Sequence, residues 1–130
     1  MASIPYQPYA SSHIDPQGPG DSRPTAQQIL EDCNAIGNLT NKSINKSILI
    51  TGASSGLGIT TAAALYITGA QLYLTSRDIP KMERVIDSIV AEQSSTAPNS
   101  FPRPRSVELH MDSFASVREA AKTVRSQTQS

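Results

Sequence analysis

The sequence predicts an α/β fold built on a parallel sheet, and three observations carry that reading. From residue 48 onward, short apolar runs alternate with segments of helical periodicity in the order strand, helix, strand, helix, strand, helix. Alternation of this kind places consecutive strands parallel, joined by right-handed crossovers. The first strand meets its helix through a turn with three glycines in eight residues, Thr51-Gly52-Ala53-Ser54-Ser55-Gly56-Leu57-Gly58. Between the second and third strands, Met82, Val85, Ile86, Ile89 and Val90 recur at helical intervals as an apolar stripe wide enough to cover a sheet.

Residues 1–24 carry Pro5, Pro8, Pro16, Pro19 and Pro24 among Gly, Ser and Gln, and read as a disordered leader without regular structure. His13 and Asp15 lie there, but two residues with no further ligand nearby make a poor metal site, and no metal is expected. Residues 25–46 read as a short docking helix and a linker. Thr25 is placed to cap the helix, with Gln28 at the capping-box position, and Gly37 suits the stop after Ile36. Ala26, Ile29, Leu30 and Cys33 make one apolar face, which docks on the main domain or on a partner. The linker repeats itself, Asn41-Lys42-Ser43-Ile44 followed by Asn45-Lys46-Ser47-Ile48, for no physical reason we can name.

Residues 47–130 read as the main domain. Strands are expected near 47–51, 71–76 and 106–111, and helices near 57–68, 79–93 and 113–126. Ile48-Leu49-Ile50 is a compact run of the kind found in a strand covered on both faces. In the second strand Leu72 and Leu74 fall on one face and Tyr73 on the other. Gly69 stops the helix before it; Asp78 caps the next helix, with Pro80 in its first turn. A loop with Pro98, Pro102 and Pro104 leads to the third strand, and Ser113 caps a last helix with Phe114, Val117, Ala121 and Val124 turned inward.

The composition narrows the function classes. With 130 residues, 38% of them hydrophobic, there is material for one small domain. Eleven Lys and Arg balance eleven Asp and Glu, so nothing electrostatic favours nucleic acid or an anionic membrane. The single cysteine, Cys33, cannot close an internal disulfide, and it reads as a small buried apolar residue rather than a nucleophile. Residues 1–10 have neither a basic segment nor an apolar run, and no stretch reaches membrane-spanning length. The three Asn-x-Ser/Thr triplets beginning at Asn38, Asn41 and Asn45 are then chance matches, and a cytoplasmic location is expected.

The glycine turn carries the chemistry. Gly52 lets the chain turn off the strand, Gly56 lets a pyrophosphate approach the backbone, and Gly58 lets the helix pack close to the strand. The helix N-terminus offers free N–H groups and a positive dipole end to phosphates. The alternative is a tight turn that binds nothing. No Lys-Ser or Lys-Thr follows the last glycine, so a phosphate-loop NTPase is disfavoured.

This segment resembles the TGxxxGxG fingerprint of the short-chain dehydrogenase/reductase family. The resemblance continues through Thr68-Gly69-Ala70, Leu74-Thr75-Ser76-Arg77-Asp78 and Met111-Asp112-Ser113, over about residues 25–130. It is greatest toward the retinol-dehydrogenase-like and fungal oxidoreductase branches, whose members carry a helix before the first strand. It implies a Rossmann-type sheet truncated to its first β-α-β-α-β-α half, in strand order 3-2-1. Ser54, Ser55 and Leu57 then join the three glycines in holding a dinucleotide. By the same resemblance the cofactor is chosen at the end of the second strand, where a carboxylate would bond the ribose 2′-hydroxyl and repel a 2′-phosphate. Here Ser76 is small and neutral, and Arg77 offers a planar cation, which together imply NADP(H). Arg77 could instead be a solvated surface charge, and Asp78 the ribose ligand rather than a cap. Asp112 corresponds to the family's adenine-binding aspartate, or shares helix capping with Ser113.

The family's Asn-Asn-Ala-Gly segment, catalytic Ser and Tyr-x-x-x-Lys motif are all absent. Tyr6, Tyr9, Tyr66 and Tyr73 are followed four positions later by Ala10, His13, Ala70 and Arg77, never by lysine. No residue is assigned as catalytic. Two expectations follow. One is the NADP(H)-binding half of an oxidoreductase whose catalytic half is missing here. The other is a non-catalytic cofactor-binding or interaction module, or a non-functional truncated product. Substrate and oligomeric state are left open.

Overall fold

The computed structural model describes residues 7–39, 47–95 and 101–128. The tandem Asn-Lys-Ser-Ile linker up to residue 46, with the sequons that begin at Asn41 and Asn45, lies outside them. So do residues 1–6, 96–100 and 129–130.

Three parallel strands form one open sheet: β1 (Ser47–Ile50), β2 (Gln71–Ser76) and β3 (Arg105–Glu108), in spatial order β1-β2-β3. This is the expected 3-2-1 order. Ser47 faces Gln71 at one end of the first pair and Ile50 faces Leu74 at the other; Tyr73 faces Arg105 in the second pair. Among the described residues four α-helices accompany the sheet: α1 (Ala26–Asp32), α2 (Leu57–Tyr66), α3 (Ile79–Glu92) and α4 (Phe114–Thr128). None of the described helices is long and apolar enough to cross a membrane.

The main core lies on one face of the sheet. Leu72 and Leu74 are fully buried there with Ala62, Ile67, Met82, Ile86 and Ile89, and Ile48 and Ile50 pack against them partly exposed. Every second residue of β2 points the other way, as the period of a strand requires, so Tyr73 joins a smaller cluster with Val107, Leu109 and Ala120. Asp78 caps α3 by accepting from the Lys81 N–H at 3.0 Å, and Thr25 caps α1 by accepting from the Gln28 N–H at 3.1 Å.

Several local expectations are corrected. β1 is not covered on both faces: Leu49 is 52% exposed, because among the described residues only α4 lies on that side and it packs on β3. The inward face of α4 is Ala120, with Val124 partly covered, while Phe114, Val117 and Ala121 are exposed. Val117 and Ala121 line an apolar groove on the uncovered side of the sheet rather than a closed core. The third strand is shorter and earlier than expected, ending at Glu108, although the Leu109 N–H still bonds the Ser76 carbonyl at 3.0 Å. Residues 110–112 turn away instead, and the Ser116 side chain accepts from the His110 N–H.

The first helix stops at Asp32, four residues before Ile36. Asn34 takes the left-handed conformation that ends it (φ +54°), the Ala35 N–H reaches back to the Leu30 carbonyl, and the Asn34 N–H to that of Glu31. This is the glycine-type helix stop with asparagine in the glycine's place, since asparagine tolerates a positive φ better than other side chains. Cys33 consequently sits at the helix end and is exposed rather than buried. Within the segment read as lacking regular structure, Ala10–His13 form one 3-10 turn. Asp21 gathers the N–H groups of Gln17, Gly18 and Arg23 and the Arg23 guanidinium, and the Tyr9 hydroxyl donates to Asp32 at 2.7 Å. Proline excludes long helices, but not turns fixed by an aspartate bonded to nearby backbone.

Candidate dinucleotide site

The C-terminal ends of the three strands open onto a cleft of about 520 Å³. Parallel strands carry their loops at this end, and there a crossover helix presents its N-terminus. The turn from β1 to α2 forms one wall, through Gly52, Ser54 and Ser55. The ends of the other two strands form the rest, through Ser76, Arg77 and Asp112.

Two glycines of the turn are demanded by the backbone and by packing. Gly56 precedes α2 at φ +57° and ψ −134°, a conformation essentially reserved for glycine. A Cβ there would meet nothing within 4 Å, so the space above this backbone is open to a ligand. Gly58 is the opposite case. A Cβ on it would collide with the Gly52 carbonyl oxygen and stand 2.8 Å from the Ala53 Cα, both backbone atoms that have nowhere to go. The missing side chain is what lets α2 press against the end of β1. No side chain caps the N-terminus of α2 at Gly56. The positive end of the helix dipole lies there; the Ile59 N–H bonds the Gly56 carbonyl at 3.2 Å, and no N-cap side chain accepts from the others.

At the end of β2 the two neighbouring residues behave differently. Ser76 is buried, and its hydroxyl accepts from the Asp78 N–H at 3.1 Å and donates to the Asp78 carbonyl at 3.2 Å. That hydroxyl is committed to the turn. Arg77 is exposed on the cleft wall and belongs to no ion pair among the described residues. The Asp78 carboxylate is engaged at the N-terminus of α3. At the end of β3 capping falls to Ser113, whose hydroxyl accepts from the Ser116 N–H at 3.3 Å, and the neighbouring Asp112 is exposed in the cleft. Leu57 is 86% exposed at the start of α2, outside the residues that line the cleft.

The structure thus brings Gly52, Ser54, Ser55, Ser76, Arg77 and Asp112 around one cleft. Gly56, Gly58 and Ser113 are not among its lining residues: the two glycines belong to the turn that forms one wall, and Ser113 follows Asp112 in the chain. Sequence reasoning missed Thr51, Thr75, Leu109 and Met111, which also line it. Strand alternation puts Thr75 on the same face as Tyr73, and a third strand ending earlier than expected would have turned Leu109 and Met111 into rim residues.

No protein-family model matches the chain. Relatives do. The chain is 40% identical over 114 residues to the oxidoreductase calI of Penicillium decumbens, a match covering 87% of this chain and 31% of that protein. It is 38% identical over 115 residues to the short-chain dehydrogenase/reductase prx1 of Penicillium roqueforti, covering 88% and 30% respectively. Among solved structures, a metagenomic short-chain oxidoreductase in complex with NADP superposes with a TM-score of 0.56 at 25% identity, over 70% of this chain and 36% of that one. The chain spans about a third of the length of the curated relatives it matches (31% of the first). With the parallel sheet, the glycine turn and these relatives together, it belongs to the short-chain dehydrogenase/reductase family.

Proposed function

We propose that these residues hold NADP(H) for hydride transfer between the nicotinamide and an alcohol or carbonyl substrate, with the catalytic groups supplied from outside the 130 residues. The observation that carries this reading is Arg77, an exposed guanidinium without an ion-pair partner among the described residues, on the wall of the cleft that the phosphate turn also lines. The residues present fit a dinucleotide. The uncapped N-terminus of α2 and the open backbone at Gly56 suit a pyrophosphate, and Arg77 suits a 2′-phosphate, which a planar guanidinium can bond twice. The Asp112 carboxylate can accept from the adenine amino group. Ser76 contributes by being neutral and by holding the turn that presents Arg77, rather than by touching the phosphate. When bound, the cofactor supplies the hydride chemistry; these residues bind and orient it.

The test is a titration of both cofactors. The unaltered chain is expected to bind NADPH about ten- to hundred-fold more tightly than NADH, the range of one charge-assisted contact. Ser76→Asp with Arg77→Ala should reverse the preference, since a carboxylate bonds the 2′-hydroxyl and rejects the phosphate. Equal binding of both cofactors by the unaltered chain would mean that Arg77 serves only the solvent. The chain alone is expected to show no steady turnover of NADPH with carbonyl compounds, because no tyrosine here has a lysine four positions on.

A further inference from the structure

The helix that carries the phosphate turn has no buried side chain in its first half. Its buried residues, Ala62, Ala64 and Tyr66, fall in the second half, where Ala63 and Leu65 also pack partly buried against the core. Further contacts fix its two ends. At the N-terminal end Gly58 is wedged against Gly52 and Ala53. At the C-terminal end the acceptors left over by the helix would need partners from elsewhere. The N-terminal segment provides them: the Gly37 N–H donates to the carbonyl of Ile67, which closes α2, at 2.8 Å, and the Leu39 N–H donates to that of Thr68 at 2.9 Å. Leu30 and Leu39 pack against the main core. Gly37 lies close to the ring of Phe101, which stands edge-on to Tyr66 of α2 with centroids 6.2 Å apart.

From this we infer that residues 30–39 form a strap whose docking on the C-terminal end of α2 is linked to cofactor binding at its N-terminal end. Leu30, Gly37 and Leu39 line no part of the cleft, so they act through α2 and are positioning residues. A ligand that needs the phosphate turn in register needs α2 in register, and the strap is one of the restraints that keep it so. The linkage is reciprocal: a cofactor that favours the aligned helix also favours the docked strap. The strap can open on its own, because α1, where it begins, buries no residue, and thinly packed segments open locally without global unfolding.

The inference rests on reading the turn as an NADPH site, and the experiment separates the two. Hydrogen exchange is followed in the unaltered chain with and without NADPH, at the amides of Gly37 and Leu39 and at that of Gln93, which bonds Ile89 at the far end of α3. NADPH should slow exchange at the first two and leave Gln93 unchanged. In parallel, Leu30→Ala and Leu39→Ala should weaken NADPH binding about five-fold or more, the lower end of coupling between distant sites, and Leu39→Met should restore it. If NADPH binds but Gly37 and Leu39 exchange as before, or all three amides slow alike, the strap is purely structural and the inference fails. Normal binding by the loosened variants overturns it equally. If the unaltered chain does not bind NADPH while its strap amides are protected, the reading of the site fails, and the linkage with it.

Discussion

On one face of β2, Leu72 and Leu74 are wholly buried beneath α2 and α3; on the other, the described residues cover the sheet only where α4 crosses it. The two faces have similar sequence character, since Leu49 is as apolar as its neighbours Ile48 and Ile50. What differs is the element available to cover them. The open side gathers Leu49, Leu109, Met111, Val117 and Val124 around an apolar groove of about 510 Å³. The same contrast runs along the two edges of the sheet. β3 bears Arg105 and Glu108 and follows Pro102 and Pro104, the usual means of discouraging further strand pairing. β1, Ser-Ile-Leu-Ile, bears none of them. Apolarity therefore reports which residues a protein can bury, and the neighbouring elements decide which it does.

The comparison can be broken most forcefully from the closed side. Leu72→Ala, at a fully buried position, should cost about 2–5 kcal/mol of stability by deleting buried methyl groups and leaving a cavity, read as a large fall in the denaturant midpoint. Gly58→Ala comes next, at about 1–3 kcal/mol from overpacking. Its neighbours are backbone atoms, so it should also abolish NADPH binding, which calorimetry would register. On the open face Leu49→Ser should cost at most about 1 kcal/mol, since only half the side chain leaves contact. A loss as large as that of Leu72→Ala would show that the open face is covered in solution.

The smallest effect is expected at the clasp that ties the loop before β3 to α3. Arg103 spans Glu83 and Asp87, at 3.0 and 2.8 Å, and the Ser106 hydroxyl also donates to Glu83. That hydroxyl, and then Arg103, hold the Glu83 carboxyl below its ordinary value of 4.5. A carboxylate favoured in the folded state stabilises it above the ordinary value, and the contribution is lost as the pH falls through the lowered one. These side chains are about half exposed, so Arg103→Ala should cost under about 1 kcal/mol at neutral pH. In melts across pH the difference between the two proteins should shrink below about pH 4.5 and vanish as Glu83 protonates.

How much of this was legible beforehand depended on how local the cause was. Asp78 as a cap, the alternation of Leu72, Tyr73 and Leu74, and the parallel order follow from neighbours in sequence. The glycine turn was equally readable, since the conflict at Gly58 involves residues only five and six positions away. The faces of α4 were not. A helical stripe of Phe114, Val117, Ala121 and Val124 looks the same whether or not anything covers it. Nor was the end of the first helix. Gly37 was the obvious stop, but Asn34 could adopt the same backbone conformation earlier, and Gly37 was then free to serve against Phe101. At the site, Arg77 and Asp112 could be placed at strand ends from the sequence, but not the occupation of Ser76's hydroxyl by its own turn.

The sheet is laid down in the order in which it is encoded, with β1 beside β2 and β2 beside β3. None of these three strands waits for a distant partner before it can pair. As the chain leaves the ribosome, each strand can dock on the one before it once its crossover helix has emerged, so the sheet can grow by one unit at a time. The phosphate turn belongs to the first of those units. The strap that steadies α2 is translated earlier still, and is at hand when the helix it braces first appears.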